Sequence, residues 1–155
     1  MTARSLSVPS RGVAGIDRRR ARSVLAVFAG LLTTALLSLI VDDLFHRAGV
    51  FPPWGQSYFG TGPYVLAVTY RSIFDVVGFL VAARLAPRHP SRHVVVLAAI
   101  GFTVGLLSII PAVTAKLGPV WYPVALALMT FPCVSVALAI VRARTAHSAV
   151  SPSAL

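Results

Sequence analysis

Four predominantly apolar stretches, Ser23–Val41, Tyr64–Ala83, Val94–Ala112 and Val120–Val141, constrain this chain more than anything else in it. Each approaches or exceeds the ~20 residues with which a helix crosses the hydrocarbon of a bilayer. Lipid offers no partner to backbone N–H and C=O groups, so each stretch must satisfy its own as a helix. The expected fold is therefore all-α, a polytopic membrane protein built as a four-transmembrane-helix bundle. Of the 155 residues, 57% are hydrophobic. What lies outside the spans is too small and scattered to form a second, water-soluble core. We expect three regions: a basic tail over 1–22 without regular order, a membrane domain over 23–144, and a short tail over 145–155. Arg, Ser, Gly and Pro without sustained periodicity in the first tail carry that expectation.

The formal net charge is +10, and its placement is more telling than its size. Arg4, Arg11, Arg18, Arg19, Arg20 and Arg22 precede the first span, Arg84, Arg88 and Arg92 lie at or between the second and third, and Arg142 and Arg144 follow the fourth. Only Arg47 and Lys116 fall in the other two loops. This alternation is the positive-inside pattern, which predicts a multi-pass protein of the cell inner (cytoplasmic) membrane with both termini cytoplasmic. Arg18, Arg19, Arg20 and Arg22 are expected to contact anionic lipid, at about 1 kcal/mol per residue near the surface. No aromatic-interleaved basic platform accompanies them, which argues against nucleic acid. The first span outruns a signal-peptide h-region and has no small-residue cleavage site before Asp42, so it reads as a retained anchor.

Chemistry-bearing motifs are sparse. A single cysteine, Cys133, rules out an internal disulfide, a C-x-x-C redox pair and a thiolate zinc site. His46, His89, His93 and His147 have no metal or haem spacing, and no phosphate loop, G-x-S-x-G or H-E-x-x-H occurs. The pair Asp42-Asp43 has no second acidic pair with which to hold a metal. The expectation is no catalytic residue, no metal and no cofactor.

Packing signals are clearer. Ala26, Gly30, Thr34 and Ser38 recur every four residues along the first helix, and Gly101, Gly105 and Ser108 form a similar track on the third. Small residues let helices approach closely in lipid, either inside the bundle or between two copies. Pro132 sits mid-span in the fourth helix, where it removes a backbone bond and predicts a kink. The connection from Leu44 to Gly62 carries Phe51-Pro52-Pro53-Trp54-Gly55, Tyr58 and Phe59, and is expected to fold over the outer end of the bundle. All six Trp and Tyr residues fall in or near the two outward connections, so Trp54, Tyr58, Trp121 and Tyr122 are expected to form an outer aromatic surface.

Arg71 and Asp75 are the charges well inside a span, about 12 and 18 Å below its outer boundary at ~1.5 Å per residue. Four residues apart, they share a helix face and can pair. An antiparallel second helix also brings Arg71 towards Asp42 or Asp43. The expected intramembrane network is Asp42 or Asp43 with Arg71 and Asp75, joined by His46 and Tyr70. It is either an interhelical clasp or an ion or substrate site, since ionisable groups at membrane depth are functional candidates.

The runs Asp42-Asp43-Leu44-Phe45-His46, Val50-Phe51-Pro52-Pro53-Trp54-Gly55, Tyr70-Arg71 and Ala83-Arg84-Leu85-Ala86-Pro87 resemble an uncharacterised group of small four-span bacterial inner-membrane proteins. The resemblance covers roughly 24–142 and implies no known activity and no catalytic residue. The length is also similar to that of small multidrug transporters, but those place an acid inside the first span, and Ser23–Val41 has none. Two functions fit these observations. In the first, an accessory or structural membrane protein engages lipid, a membrane-protein partner or a second copy through its outer face. The alternative is a small transporter or channel for protons, cations or an anionic solute, using Arg71 and Asp75.

Overall fold

The computed structural model describes the backbone of residues 11–116 and 118–150, and the side chains of 18–116 and 118–147. The described residues are all-helical apart from loops: α1 (Arg11–Arg47), α2 (Thr61–Leu85), α3 (Pro90–Leu107), α4 (Ile109–Thr114) and α5 (Trp121–Val150). With α3 and α4 taken as one span, four helical segments are long and apolar enough to cross a membrane: Arg18–Arg47, Thr61–Leu85, Pro90–Thr114 and Trp121–His147. The chain runs up and down, so one end of the bundle gathers the arginine-rich segments and the other the two loops 48–60 and 115–120. We call these the arginine end and the loop end. Helix α2 is central and packs on α1, α3 and α5; α3 closes against α5 and touches α1, and among the described residues no close backbone contact joins α1 to α5.

Residue sizes are distributed as lipid demands. Among the described residues, seven of the thirteen buried hydrophobics are alanine, while Leu25, Phe28, Leu39 and Ile40 of α1 stand exposed. In water such a surface would drive aggregation; in hydrocarbon it costs nothing, and close approach of small residues supplies the association. The tight core lies in the arginine half, where Phe79, Ala82, Val94, Leu97, Cys133 and Ala137 meet.

The small-residue stripe of α1 faces inward, onto α2. Ala26 is buried, and Thr34 Oγ1 donates to the Phe74 carbonyl at 3.2 Å. At the crossing, a Cβ added to Gly30 would lie 2.6 Å from the Gly78 carbonyl oxygen, and one added to Gly78 would lie 2.7 Å from that of Gly30. The two backbones touch because neither residue has a side chain. Gly78 is the half of this contact that the periodicity of α1 could not disclose. On α3, a Cβ added to Gly105 would lie 3.2 Å from Ala127 of α5, whereas one on Gly101 would meet nothing within 4 Å.

Two local features differ from the sequence expectation. The first is the basic tail: α1 extends back to Arg11, so the stretch from Arg11 to Arg22 is helical, while residues 1–10 lie outside the described ones. Once a long helix exists, adding Ala and Arg residues to it needs no new nucleation. The C-terminal segment behaves likewise, with α5 continuing to Val150. Second, the third span breaks at Ser108. Pro111 lacks an N–H and its ring crowds the Leu107 carbonyl, which separates α3 from α4. Ser108 tightens the break through a hydroxyl bond to the Gly105 carbonyl at 2.7 Å. Helix α5 carries Pro132 within its length.

These contacts rank the glycines. Gly30→Ala and Gly78→Ala should each destabilise the bundle by about 1–3 kcal/mol through overpacking, while Gly101→Ala should be close to neutral. Thermal melting in detergent, followed by circular dichroism, checks the order. Equal shifts at all three positions would refute the crossing.

Candidate functional site

The last turns of α1 and the first half of α2 run side by side near the loop end, and a carboxylate of α1 meets two donors of α2. The Tyr70 hydroxyl donates to Oδ1 of Asp42 and Arg71 Nη2 donates to Oδ2. Consecutive residues of one helix thus take one oxygen each. Asp42 is buried, as charged groups are only when compensated. Arg71 Nε is enclosed without a hydrogen bond of its own.

Of the two aspartates, Asp42 enters the network and Asp43 does not. Successive residues on a helix point about 100° apart, so with Asp42 turned to α2, Asp43 is turned away. It pairs instead with Arg47 one turn on, at 2.8 Å, on a surface where both side chains are largely exposed. The pairing of Arg71 with Asp75 that their spacing allows is also absent. Helix side chains lean towards the helix N-terminus, so the guanidinium extends towards the loop end, to Asp42. The short carboxylate of Asp75 remains a turn behind, without an ion-pair partner among the described residues.

His46 belongs to a different arrangement. Its Nδ1 lies 2.6 Å from the Pro52 carbonyl, which can only accept, so Nδ1 carries the proton. The ring packs against Trp54 with centroids 3.9 Å apart and against Phe51 at 5.4 Å. Loop 48–60 is thereby folded back over the end of α1, with Val50 N and Phe51 N both bonded to the Phe45 carbonyl. Tyr64 holds the far end of the same loop, donating to the Tyr58 carbonyl at 2.9 Å, and packs on Tyr122 at the start of α5 with centroids 4.8 Å apart. The four expected aromatic-surface residues do not share one face. Trp54, Tyr58 and Trp121 are exposed, whereas Tyr122 is turned into the molecule.

Two cavities flank the Asp42–Arg71 pair. A chamber of about 350 Å³ at the loop end is walled by His46, Trp54, Tyr58, Tyr64 and Tyr122. A second, of about 440 Å³, lies deeper between α1 and α3 and is lined by Asp75, Thr34, Ser38, Gly101, Ser108 and Thr130. Asp42 and Arg71 are the residues common to both linings. The ion pair is the partition between the chambers. Gly101 borders the deeper chamber, and a Cβ added to it would meet nothing within 4 Å. Three of its hydroxyls already donate to carbonyls: Thr34 to Phe74, Ser108 to Gly105 and Thr130 to Leu126. Their oxygens keep acceptor lone pairs.

The hydroxyl set around Asp75 was missed in the sequence, where Thr34, Ser38 and Ser108 were read only as packing residues. The four-residue step from Thr34 to Ser38 is the available signal, and it places only those two on one face of α1. Arg18, Arg19, Arg20 and Arg22 are all exposed at the arginine end, far from this site. No group of three or more His, Cys, Asp or Glu among the described residues is placed to hold a metal. Comparison with protein-family models, curated proteins and solved structures found no match.

The geometry distinguishes the two aspartates energetically. Asp42→Asn leaves a partly buried guanidinium without its counter-charge, which typically costs about 3–5 kcal/mol. Asp43→Asn removes a surface pair worth about 0–1 kcal/mol. Melting temperatures of the two variants in one detergent check this; a similar fall for both would show the Asp42 clasp to be unimportant.

Proposed function

We propose that this chain is a small transporter of the bacterial inner membrane that takes up a proton or a monovalent cation at Asp75. One observation carries the reading: a carboxylate near the middle of α2 borders a 440 Å³ cavity, while the adjacent guanidinium is engaged by a different acid. A charge at that depth costs at least ~2.5–3.5 kcal/mol, so an Asp75 without an ion-pair partner calls for a proton or a cation in its place. Hydroxyl oxygens of Thr34, Ser38, Ser108 and Thr130 line the same cavity. One carboxylate with several hydroxyls is a hard, singly charged donor set, suited to a proton or monovalent ion. Divalent ions draw on more carboxylates.

Access follows from the partition. An ion arriving from the loop end would enter the aromatic chamber and displace the Asp42–Arg71 pair before reaching Asp75. The arginine distribution favours a cytoplasmic arginine end, which puts that chamber on the opposite face. A reporter fused after Leu155 should then be active only in the cytoplasm.

Flux into proteoliposomes, driven separately by a proton and a sodium gradient, tests the assignment. We expect transport of one of them, a loss of at least about tenfold in Asp75→Asn, and unchanged flux in Asp43→Asn. No flux under either gradient, or flux indifferent to Asp75→Asn, overturns the reading.

A second reading has its own support. Trp54 and Phe59 are 63% and 61% exposed on a loop hydrogen-bonded to His46 and Tyr64, and large exposed aromatics are common where proteins or lipid headgroups dock. An accessory role of this kind predicts a protein or lipid retained through purification in mild detergent and lost in Trp54→Ala.

A further inference from the structure

At the arginine end, the structure brings together basic residues that lie far apart in sequence. Arg19 and Arg20 of α1 face Arg88 and Arg92, with His89 and His93, across a cleft of about 530 Å³ between α1 and the turn entering α3. His89 takes a left-handed backbone (φ 50°) just before Pro90, which reverses the chain and carries Arg88 and Arg92 to the same cleft. None of these four arginines has an acidic partner among the described residues. Of the chain's four acids, Asp42 and Asp43 lie at the last turns of α1 near the loop end, Asp75 lies near the middle of α2, and Asp17 precedes the Arg18–Arg22 run.

We propose that this cleft is a binding site for the phosphate headgroup of an anionic phospholipid, with preference for a lipid carrying two phosphates. Four guanidiniums around one space repel one another unless an anion sits between them, and guanidinium forks match phosphate oxygens in pairs. Position selects a lipid over a soluble anion. Val24 of α1 lines the cleft beside the arginines. Beyond it, Leu25 and Phe28 of α1 and Val95 and Val96 of α3 are exposed to the surrounding hydrocarbon. A headgroup held by the arginines thus has apolar helix surface directly beneath it for its acyl chains. Basic pockets between transmembrane helices at the membrane boundary bind such headgroups by this combination. The site is independent of the ion reading at Asp75, which does not line this cleft.

Arg18 and Arg22 provide an internal control. They belong to the same basic run but do not line the cleft, so a diffuse attraction would use them equally. The experiment is native mass spectrometry and thermal melting of the full chain in detergent, with phosphatidylcholine, phosphatidylglycerol, cardiolipin or inorganic pyrophosphate added. We expect retained cardiolipin and a raised melting temperature in the parent and in Arg18→Gln/Arg22→Gln. In Arg88→Gln/Arg92→Gln the affinity should fall about thirtyfold, roughly a factor of five per arginine. Circular dichroism without lipid verifies that both variants are folded. Equal losses in the two double variants, or no effect of any anionic lipid, overturn the proposal. A shift reproduced by pyrophosphate, with cardiolipin adding nothing, would identify a soluble phosphate site and overturn it as well.

Discussion

A buried carboxylate on one helix, answered by a hydroxyl and a guanidinium on the next, anchors the half of the bundle that has no dense core. Asp42 holds Tyr70 and Arg71 across a separation of 28 and 29 residues. In hydrocarbon, breaking such a contact leaves a charge with nothing to solvate it, so the clasp is strong in proportion to how little else surrounds it. The Gly30–Gly78 crossing fixes the same pair of helices nearer the arginine end, by backbone contact instead of charge. Two points define a line, and together they set both the tilt and the rotation of α1 on α2. Every other feature of the site follows from that rotation: which aspartate turns inward, which stripe is buried, and which hydroxyls border the cavity.

The bundle is accordingly two materials joined end to end. In the arginine half, alanines and a few larger residues pack α2, α3 and α5 without leaving room for more. In the loop half, glycine and small hydroxyl residues leave a cavity, and the charges sit at its boundary. The break between α3 and α4 at Ser108, forced by Pro111, occurs in this half too. Rigidity at one end and space at the other is an arrangement in which a small displacement of α1 could open the partition while the core stays closed. Packed interfaces of this sort shift between discrete states, without continuous deformation.

Charge follows the same division. Asp42, Asp43 and the Trp and Tyr residues of the loops gather at the loop end, and arginines at the opposite one, where they face one another across a cleft. The first asymmetry underlies the proposed cation site, the second the proposed lipid site. Both arise from a chain with only four acidic residues, which cannot neutralise its basic side chains internally.

The all-helical fold and the approximate spans were legible in the sequence because hydrocarbon leaves the backbone no alternative to the helix, and Arg71 stood out because a charge inside such a span is costly wherever it lies. Its partner was not legible. Asp42 and Asp43 are adjacent and chemically identical, and Asp75 has the helical spacing that normally forms a pair. Only the rotation of α1, set by a contact to Gly78 in another helix, turned Asp42 inward and released Asp75 to the cavity. The stripe of Ala26, Gly30, Thr34 and Ser38 shows the same limit. Spacing reveals that these residues share a face, but whether a given position packs or lines a space depends on the helices opposite. Local backbone demands are carried by each segment alone, whereas pairing and empty volume belong to the relative placement of segments, and that is decided only when they are brought together.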